Sequence, residues 1–316
     1  MRVVALAGGV GAGKFLRGLV RVVAPEDVTV VGNVGDDMTL HGLHISPDLD
    51  SVLYWLADVA DRERGWGRSG ETFRTLEELR RLGGQAWFSL GDLDLATHLY
   101  RTQALSDGAP LSRVTAELCE RSGVAARLIP VTDDPLRTWV LTEGVEEAGG
   151  PAAMPFQVYW VGRRAEPVVR DIAFRGAEDA KPAPGVLEAI AAADAVVICP
   201  SNPVVSIAPI LAVPGVAEAV RDRRDRVVGI SPIVGGAPLS GMADRVMPAR
   251  GLEVSARGAA EVYRGLLAAW VIDERDAKLA PPIRDDLGVR VAVTDTVMAG
   301  DERAEALARA ALELLG

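Results

Sequence analysis

The sequence predicts an α/β protein whose core is a mostly parallel sheet, with a helical insertion lobe and a small antiparallel excursion. Wholly apolar runs at residues 3–6 and 195–199 alternate with helical patterns, as the buried strands of parallel sheets do. Residues 61–122 show helical patterns without a convincing strand. Between residues 128 and 161 the pattern changes to β-like runs separated by turn residues, which indicates the antiparallel part.

The chain begins with a strand, a glycine-rich turn and a helix. The apolar run 3–6 leads into the glycine-rich residues 8–14, and a second apolar run, 28–31, ends in the polar residues 32–37. Glycines let the chain turn sharply and let an anion approach the N–H groups at the start of a helix. Because ligands of open parallel sheets bind at the carboxyl ends of the strands, we expect a phosphate or nucleotide site here.

The glycine-rich turn nearly fits two phosphate-binding motifs and fails both. The phosphate-binding loop of ATPases needs a hydroxyl residue after its Gly-Lys pair, and Phe15 stands there. The dinucleotide motif Gly-x-Gly-x-x-Gly, read from Gly9 and Gly11, meets Lys14 at its third glycine position. The turn therefore predicts close approach of a phosphate-sized anion without specifying the ligand, and a tight turn with no ligand stays an alternative.

The remaining elements follow in chain order. A helix is expected over residues 50–60, because Pro47 and neighbouring carboxylates mark a helix start. Residues 143–151 are rich in turn formers, with residues 149–151 as an exposed tip. Further helices are predicted over residues 72–82, 93–103, 111–121, 186–193, 210–221, 256–269 and 302–315. Further strands are predicted over residues 127–131, 138–142, 155–161, 226–230, 271–273 and 289–294.

Composition excludes several classes of protein. Of the 316 residues, 49% are hydrophobic and 25% charged, which is enough for a large core and excludes wholesale disorder. The net charge of −10 argues against a nucleic-acid partner, and the two cysteines are too few for a disulfide framework or a zinc site. No apolar stretch reaches the ~18–20 residues of a membrane span, and the N-terminus does not resemble a signal peptide. We therefore expect a soluble, cytoplasmic protein without a membrane partner.

Polar residues follow four of the predicted strands, and six aspartates lie near them. Because parallel strands end at one edge of a sheet, these polar segments should line a cleft. The segments are residues 33–37, Ser201-Asn202-Pro203, Ser231-Pro232 and Thr294-Asp295-Thr296, and the aspartates are Asp36, Asp37, Asp48, Asp50, Asp92 and Asp94.

Carboxylates beside a phosphate site suit Mg²⁺ that is held by one or two protein oxygens together with substrate phosphate. Helix capping is the alternative for Asp48 and Asp92, whereas Asp50 and Asp94, one turn into their helices, favour function. His98 lies four residues after Asp94, on the same helix face. No Gly-x-Ser-x-Gly elbow is present, so covalent acyl chemistry is not expected.

These segments, in this order, resemble the 2-phospho-L-lactate transferase family, whose members cap the deazaflavin FO in coenzyme F-420 biosynthesis. The matching segments are LAGGVG at 6–11, NVGDD at 33–37, ISPDLD at 45–50, RGWG at 64–67, LGD at 90–92, DLATH at 94–98, and residues 130–135, 200–206 and 231–242.

The resemblance implies a Rossmann-type core, a helical lobe, Mg²⁺ as cofactor and a homodimer. It implies transfer of a phospholactyl or phosphoenolpyruvyl group from a guanosine diphosphate conjugate to the ribityl hydroxyl of FO, with release of GMP. Residues 1–60 and 185–316 would then form the nucleotide-binding core, and residues 61–184 the lobe and β excursion on the acceptor side. Lactate, enolpyruvate and glycerate all stay open as the three-carbon acid.

The resemblance also implies roles for particular residues. The expected catalytic residues are Asp50 and Asp94, the FO contacts Asp50, Ser89, Thr97 and His98, the nucleotide contacts Gly9, Gly11, Asn33, Ser201, Asn202, Pro203 and Ser231, and the metal ligands Asp36 and Asp50. The chain departs from the family at Leu93, where members commonly have arginine, and at Ser89, where some have lysine. A non-catalytic regulator that binds a nucleotide sugar is the competing hypothesis, and a small-molecule kinase is disfavoured by Phe15.

Overall fold

The protein, described by a computed structural model over residues 1–145 and 151–316, contains a seven-stranded parallel sheet, helices and three small antiparallel sheets. The strands are β1 (Val3–Ala7), β2 (Val28–Gly32), β3 (Met38–Leu40), β4 (Leu43–Ile45), β5 (Arg127–Pro130), β6 (Arg137–Val145), β7 (Pro151–Pro155), β8 (Val169–Arg175), β9 (Ala195–Ile198), β10 (Val227–Ile230), β11 (Ile233–Val234), β12 (Ala237–Pro238), β13 (Ala269–Asp273) and β14 (Arg290–Thr294). The helices are α1 (Gly9–Val22), α2 (Pro47–Leu56), α3 (Arg74–Arg81), α4 (Asp92–Ser106), α5 (Leu111–Arg121), α6 (Val186–Ala192), α7 (Ala208–Leu211), α8 (Val216–Asp222), α9 (Ala243–Val246), α10 (Ala256–Glu261), α11 (Ala280–Leu287) and α12 (Asp301–Glu313).

The large sheet has the strand order β14-β13-β10-β9-β1-β2-β5, and every neighbouring pair in it is parallel. From β1 the chain adds β2 and β5 on one side, then crosses and adds β9, β10, β13 and β14 on the other side. The strand order therefore reverses between β1 and β9. In such doubly wound sheets, ligands bind in the crevice outside the carboxyl ends of the strands at this reversal.

The apolar strands lie in the core, as the sequence predicts. β1, β9 and β13 are buried along their whole length, because a parallel sheet covered on both faces leaves no side of a strand for water. Cys119 and Cys199 are both free and buried. The predicted α/β class, with its helical lobe and its antiparallel part, is confirmed.

One predicted strand lies in a different sheet, and another is not a strand. The run 127–131 was expected in the antiparallel part, but β5 is hydrogen-bonded to β2 at the edge of the large sheet. Residues 155–161 were expected as a strand, but Val158–Gly162 form a π-helical turn, and the antiparallel sheet is β7-β6-β8. The β3–β4 hairpin and β8 were not predicted. Residues 149 and 150 of the expected exposed tip lie outside the described residues.

Some predicted helices have different bounds. α1 begins at Gly9, so most of the predicted glycine turn is the first part of a helix. The predicted helix 210–221 is interrupted between α7 and α8, where Gly215 adopts a positive φ of 87° after Pro214. The predicted helix 256–269 ends at Glu261. The division into residues 1–60 with 185–316 and residues 61–184 stays a prediction, although β5 belongs to the large sheet.

Within residues 1–145 and 151–316, no single helix is long and apolar enough to cross a membrane. Two consecutive helical segments, residues 203–211 and 216–222, reach the required length and apolar composition only when they are taken together. The chain bends by 89° between them.

Helices α1 and α12 pack so closely that their backbones touch. A Cβ atom on Gly18 of α1 would lie 2.1 Å from the carbonyl carbon of Ala304 in α12. Phe15, Leu16 and Leu19 of α1 are wholly buried beside this contact. The glycine therefore sets the distance between the two helices.

We predict that Gly18→Ala destabilises the fold by at least about 2 kcal/mol, because the new methyl group meets backbone that cannot rotate away. Urea unfolding would measure this. Gly300→Ala is the matched control, since a Cβ at Gly300 meets nothing within 4 Å at the start of the same α12. We expect the control to cost less than about 1 kcal/mol, and equal costs would contradict the close packing.

Candidate active site

The crevice at the strand reversal brings the start of α1 next to the loop after β9. The backbone N–H of Gly8 donates to Oγ of Ser201 at 3.4 Å. A Cβ atom on Gly11 would lie 2.4 Å from the carbonyl oxygen of Pro200, so a glycine is needed for this approach. α1 has neither a capping side chain nor an acidic residue in its first turn. The positive end of its dipole is therefore suited to an anionic ligand.

Asn33 joins three parts of this crevice. Its amide nitrogen donates to Oδ2 of Asp48 at 2.8 Å and to the carbonyl of Val205 at 3.2 Å, and its oxygen accepts from the N–H of Gly35 at 2.8 Å. The side chain is fully buried. It holds the end of β2 against the start of α2 and the π-helical turn Pro203–Ile207, and a nucleotide contact by Asn33 stays a prediction.

The other predicted nucleotide residues after β9 and β10 shape their own loops. Oδ1 of Asn202 accepts from the N–H groups of Val204 and Val205 at 3.0 and 3.3 Å, so it caps the turn in which Pro203 is the first residue. Oγ of Ser231 donates to the carbonyl of Ile233 at 2.9 Å. These residues lie at the expected sheet edge, and their side chains already have partners within the protein.

Asp36, Asp37 and Asp48 form a buried group of carboxylates beside α1. Oδ2 of Asp36 accepts from Gln157 at 3.1 Å, and Oδ2 of Asp37 accepts from Oγ of Ser46 at 2.9 Å. Oδ1 of Asp36 and Oδ1 of Asp37 are buried and have no hydrogen-bond partner in residues 1–145 and 151–316. Asp48 contacts Asn33 rather than capping α2, so the capping alternative is wrong for this residue.

Burial changes the protonation of this group. It raises the pKa of Asp36 well above its usual range, and repulsion by Asp48 and Asp37 adds to the rise. It also raises the pKa of Asp48 to about 7, against the opposing effect of the hydrogen bond from Asn33. Nε2 of His44 lies 3.0 Å from Oδ2 of Asp37, whereas the raised pKa values of Asp36 and Asp48 show that these two carboxyl groups favour a proton or a bound cation.

The protein residues could supply only some of the ligands of a Mg²⁺ ion, and the substrate would have to supply others. Among the described residues, no three or more His, Cys, Asp or Glu side chains are arranged to hold a metal ion. Mg²⁺ commonly needs only one or two carboxylates, with water and substrate phosphate as its other ligands. The unpartnered Oδ1 of Asp36 suits this role. Both oxygens of Asp50 bind Arg101, but a carboxylate oxygen has a second lone pair for a metal.

Asp50 lies in a buried ion pair. The guanidinium of Arg101 donates to both carboxylate oxygens, with Nη1 at 3.1 Å from Oδ2 and Nη2 bonded to Oδ1. Nδ1 of His98 lies 3.6 Å from Oδ2 of Asp50 and 3.3 Å from Nη1 of Arg101. Burial lowers the pKa of His98 to about 4, so the ring is neutral near pH 7. Because Arg101 is only a donor, Nδ1 accepts from it and Nε2 carries the proton.

The buried face of α4 is polar. Asp94, Thr97, His98 and Arg101 are its buried residues, with the spacing i, i+3, i+4 and i+7. On most helices of globular proteins this spacing carries the apolar residues that face the core. Burial raises the pKa of Asp94 to about 6, and the charge of Asp50 adds to the rise. Sequence reasoning found the pair Asp94 and His98 but missed Arg101, although the continued spacing is visible in the sequence.

The structure separates Asp92 from this group. Its carboxylate accepts from the hydroxyl of Thr72 and from the N–H of Thr75 at 3.2 Å, so it holds the start of α3.

Ser89 is half-buried, and Leu93, one of the two departures from the family, is 39% exposed. A contact between Ser89 and FO stays a prediction.

The doubly wound sheet and the crevice at its reversal define a Rossmann-like α/β protein. A family model described as 2-phospho-L-lactate transferase CofD matches residues 3–300. The chain therefore belongs to the CofD family, and it is a CofD-type transferase of coenzyme F-420 biosynthesis. This membership favours the transferase over the regulator.

Similar proteins carry two different names. The chain is 49% identical over 316 residues to a phosphoenolpyruvate transferase of Streptomyces griseus, covering 99% of this chain and 98% of the relative. It is 41% identical over 303 residues to a 2-phospho-L-lactate transferase of Methanosarcina mazei, covering 96% of each. A UPF0052 family protein of Bacillus halodurans shares the fold, with a TM-score of 0.65 at 18% identity over 98% of both chains.

We predict that, as the pH rises from 4 to 6, the free energy of unfolding of Asp94→Asn falls less than that of the wild type. The pKa of Asp94 rises from 3.8 to about 6 on folding, so the folded state keeps a proton that the unfolded chain has lost. Stability from this group is present below pH 4 and is lost as the pH rises through 6, by up to about 3 kcal/mol. Urea unfolding at several pH values measures the difference.

The matched control for this titration is Asp107→Asn, at the exposed end of α4. Its stability curve should run parallel to that of the wild type over this range. A parallel curve for Asp94→Asn as well would contradict the raised pKa of Asp94.

Proposed function

We propose that this protein transfers a phosphoenolpyruvyl group from a guanosine diphosphate conjugate to the terminal ribityl hydroxyl of FO and releases GMP. The hydroxyl oxygen bonds to the phosphorus that carries the three-carbon acid, and the bond from that phosphorus to GMP breaks. The observation that carries the proposal is the uncapped start of α1 beside buried carboxylates at one edge of the sheet. Enolpyruvate is favoured over lactate because relatives up to 49% identical are named phosphoenolpyruvate transferases.

The nucleotide side of the reaction would use the start of α1 and the loop after β9. The diphosphate would accept from backbone N–H groups near Gly9 and Gly11, where the helix dipole stabilises negative charge. Ser201 and the turn at Asn202 and Pro203 lie next to this position, on the other side of the reversal. Charge that develops on the leaving GMP would be stabilised by the same fixed dipoles.

The acceptor side would use α2 and the polar face of α4. Asp50 would orient the ribityl hydroxyl or accept its proton, and Asp94 would assist as the second catalytic carboxylate. Thr97 and His98 share the buried face of α4 with Asp94 and would contact FO. Positioning of this kind supplies most of the rate acceleration in phosphoryl transfer, because little covalent chemistry is left to the protein.

Asp36, with Asp50 as the second candidate, would hold Mg²⁺ next to the diphosphate. When bound, the ion would neutralise charge on the diphosphate oxygens. The neighbouring Asp48 can keep a proton near pH 7, which limits repulsion between this group and the phosphates. A homodimer and a cytoplasmic location, both expected from the sequence, stay predictions.

The direct test is the product formed from FO with each guanylylated acid. We expect mass spectrometry to detect the phosphoenolpyruvyl adduct of FO and an equal amount of GMP, with faster turnover than for lactate or glycerate. Preference for the lactyl conjugate would overturn only the choice of acid. No consumption of FO with any conjugate, together with tight binding of a UDP-sugar, would support the regulator instead.

We predict that Asp50→Asn lowers the turnover number at least about 10³-fold while GDP still binds, because the amide can neither accept the proton nor bind Arg101 as a carboxylate does. Steady-state turnover and calorimetry with GDP measure the two effects. A thermal melt shows whether the variant is folded, and Asp107→Asn is the matched control. Turnover near that of the wild type would remove Asp50 from the mechanism.

We predict that Mg²⁺ is needed for turnover and adds little to the affinity for FO. The described residues offer no all-protein metal site, so the ion should arrive with the diphosphate, away from the deazaflavin ring. EDTA should stop formation of the product and leave the quenching of FO fluorescence nearly unchanged. Loss of FO binding together with the metal would contradict the prediction, because the ion would then bind the acceptor rather than the diphosphate.

A further inference from the structure

Arg101 is a buried cation in a site that is otherwise rich in buried carboxylates. It is 1% exposed, and among the described residues it is the only arginine or lysine that is buried. Five buried aspartates surround the proposed reaction centre: Asp36, Asp37, Asp48, Asp50 and Asp94. A buried guanidinium is expensive to desolvate, so its presence among these groups needs an explanation.

Arg101 contacts two of the residues proposed to bind the acceptor. Its two terminal nitrogens bind both oxygens of Asp50 in the planar, bidentate geometry that only arginine provides. Nη1 also lies 3.3 Å from Nδ1 of His98, which fixes the proton of that ring on Nε2. The side chain therefore determines the orientation of one residue and the tautomer of the other.

Arg101 also connects the lobe to the core. It lies on α4, whereas Asp50 lies on α2, two residues after the Asp48 that contacts the start of α1. The next residue, Thr102, accepts from the backbone N–H of His44 at 2.8 Å, on the β3–β4 hairpin. The acceptor helix is thus fixed to the core at the position of the proposed chemistry.

We propose that Arg101 is a positioning residue for the transfer reaction, which holds Asp50 and His98 in the geometry that meets the ribityl hydroxyl. This inference rests on the proposed function. The Nη atoms of Arg101 bind Asp50 and contact His98, whereas its Nε is buried without a hydrogen-bond partner among the described residues, so the positioning role rests on the Nη contacts. A displacement of about 1 Å in a reacting group can cost on the order of 10²-fold in rate, which sets the expected scale.

The main test is Arg101→Lys, which keeps the positive charge and loses the bidentate contact with Asp50. We expect the turnover number to fall roughly 10–100-fold, while the KM for the guanylylated donor and the affinity for GDP change less than about twofold. Arg101→Met, which removes the charge, should lower turnover further. Arg17→Lys is the matched control, since Arg17 forms a partly buried ion pair with Asp301 away from the crevice, and its turnover should equal that of the wild type.

A double-mutant cycle distinguishes positioning from a general structural role. If Arg101 acts through Asp50 and His98, Arg101→Lys should lower the residual rate of Asp50→Asn by a clearly smaller factor than it lowers the wild-type rate, because only the contact with His98 is then left to lose. If the residual rate of Asp50→Asn is too low to measure, Asp50→Glu replaces it in the cycle. Full additivity of the two substitutions, or a loss of activity that thermal melts attribute to unfolding of Arg101→Lys, would overturn the proposal.

The outcomes also separate this inference from the proposed function. Wild-type turnover of FO with a loss in Asp50→Asn, but no loss in Arg101→Lys, would refute the positioning role and leave the function intact. Absence of wild-type turnover with every guanylylated acid would refute the function, and the role of Arg101 with it.

Discussion

The reversal of strand order between β1 and β9 is the constraint on which the rest of the structure depends. It puts the start of α1 and the loop after β9 side by side, and they meet through backbone at Gly11 and Pro200. β2, the next strand along, delivers Asn33 and the aspartates after it to the same edge of the sheet. Because backbone has no alternative rotamers, this contact gives the crevice a shape that the surrounding side chains must follow.

At this edge of the sheet, the desolvation of buried carboxylates is the main free-energy cost of folding. The structure offsets this cost in three ways. Arg101 pairs with Asp50, hydrogen bonds from neutral side chains reach Asp37 and Asp48, and burial keeps Asp36, Asp48 and Asp94 protonated at pH values where free aspartate is ionised. Among the described residues, two buried carboxylate oxygens, Oδ1 of Asp36 and Oδ1 of Asp37, are left without a hydrogen-bond partner. Buried polar atoms without partners are common at functional sites, where stability is given up for ligand binding.

Patterns within short stretches of sequence predicted most of the core, because apolar runs and helix bounds are local properties. The helix 111–121 was predicted to the residue, between Pro110 and the turn that contains Gly123. The place of β5 in the large sheet and the β3–β4 hairpin were not predictable, since pairing depends on distant parts of the chain. The polar residues at strand ends were placed at the sheet edge for the same local reason, whereas the helical spacing that continues to Arg101 does not show that it is buried, because its burial depends on its partner on α2.

The polar face of α4 has a mechanical consequence. Apolar faces are non-directional, so helices that pack through them can rotate or slide slightly at little cost. The contacts of Arg101, His98 and Thr102 are directional, and a small rotation would break them together. Helix α4 is therefore held in one orientation against α2 and the β3–β4 hairpin. The residues proposed for the acceptor side are in this sense preorganised.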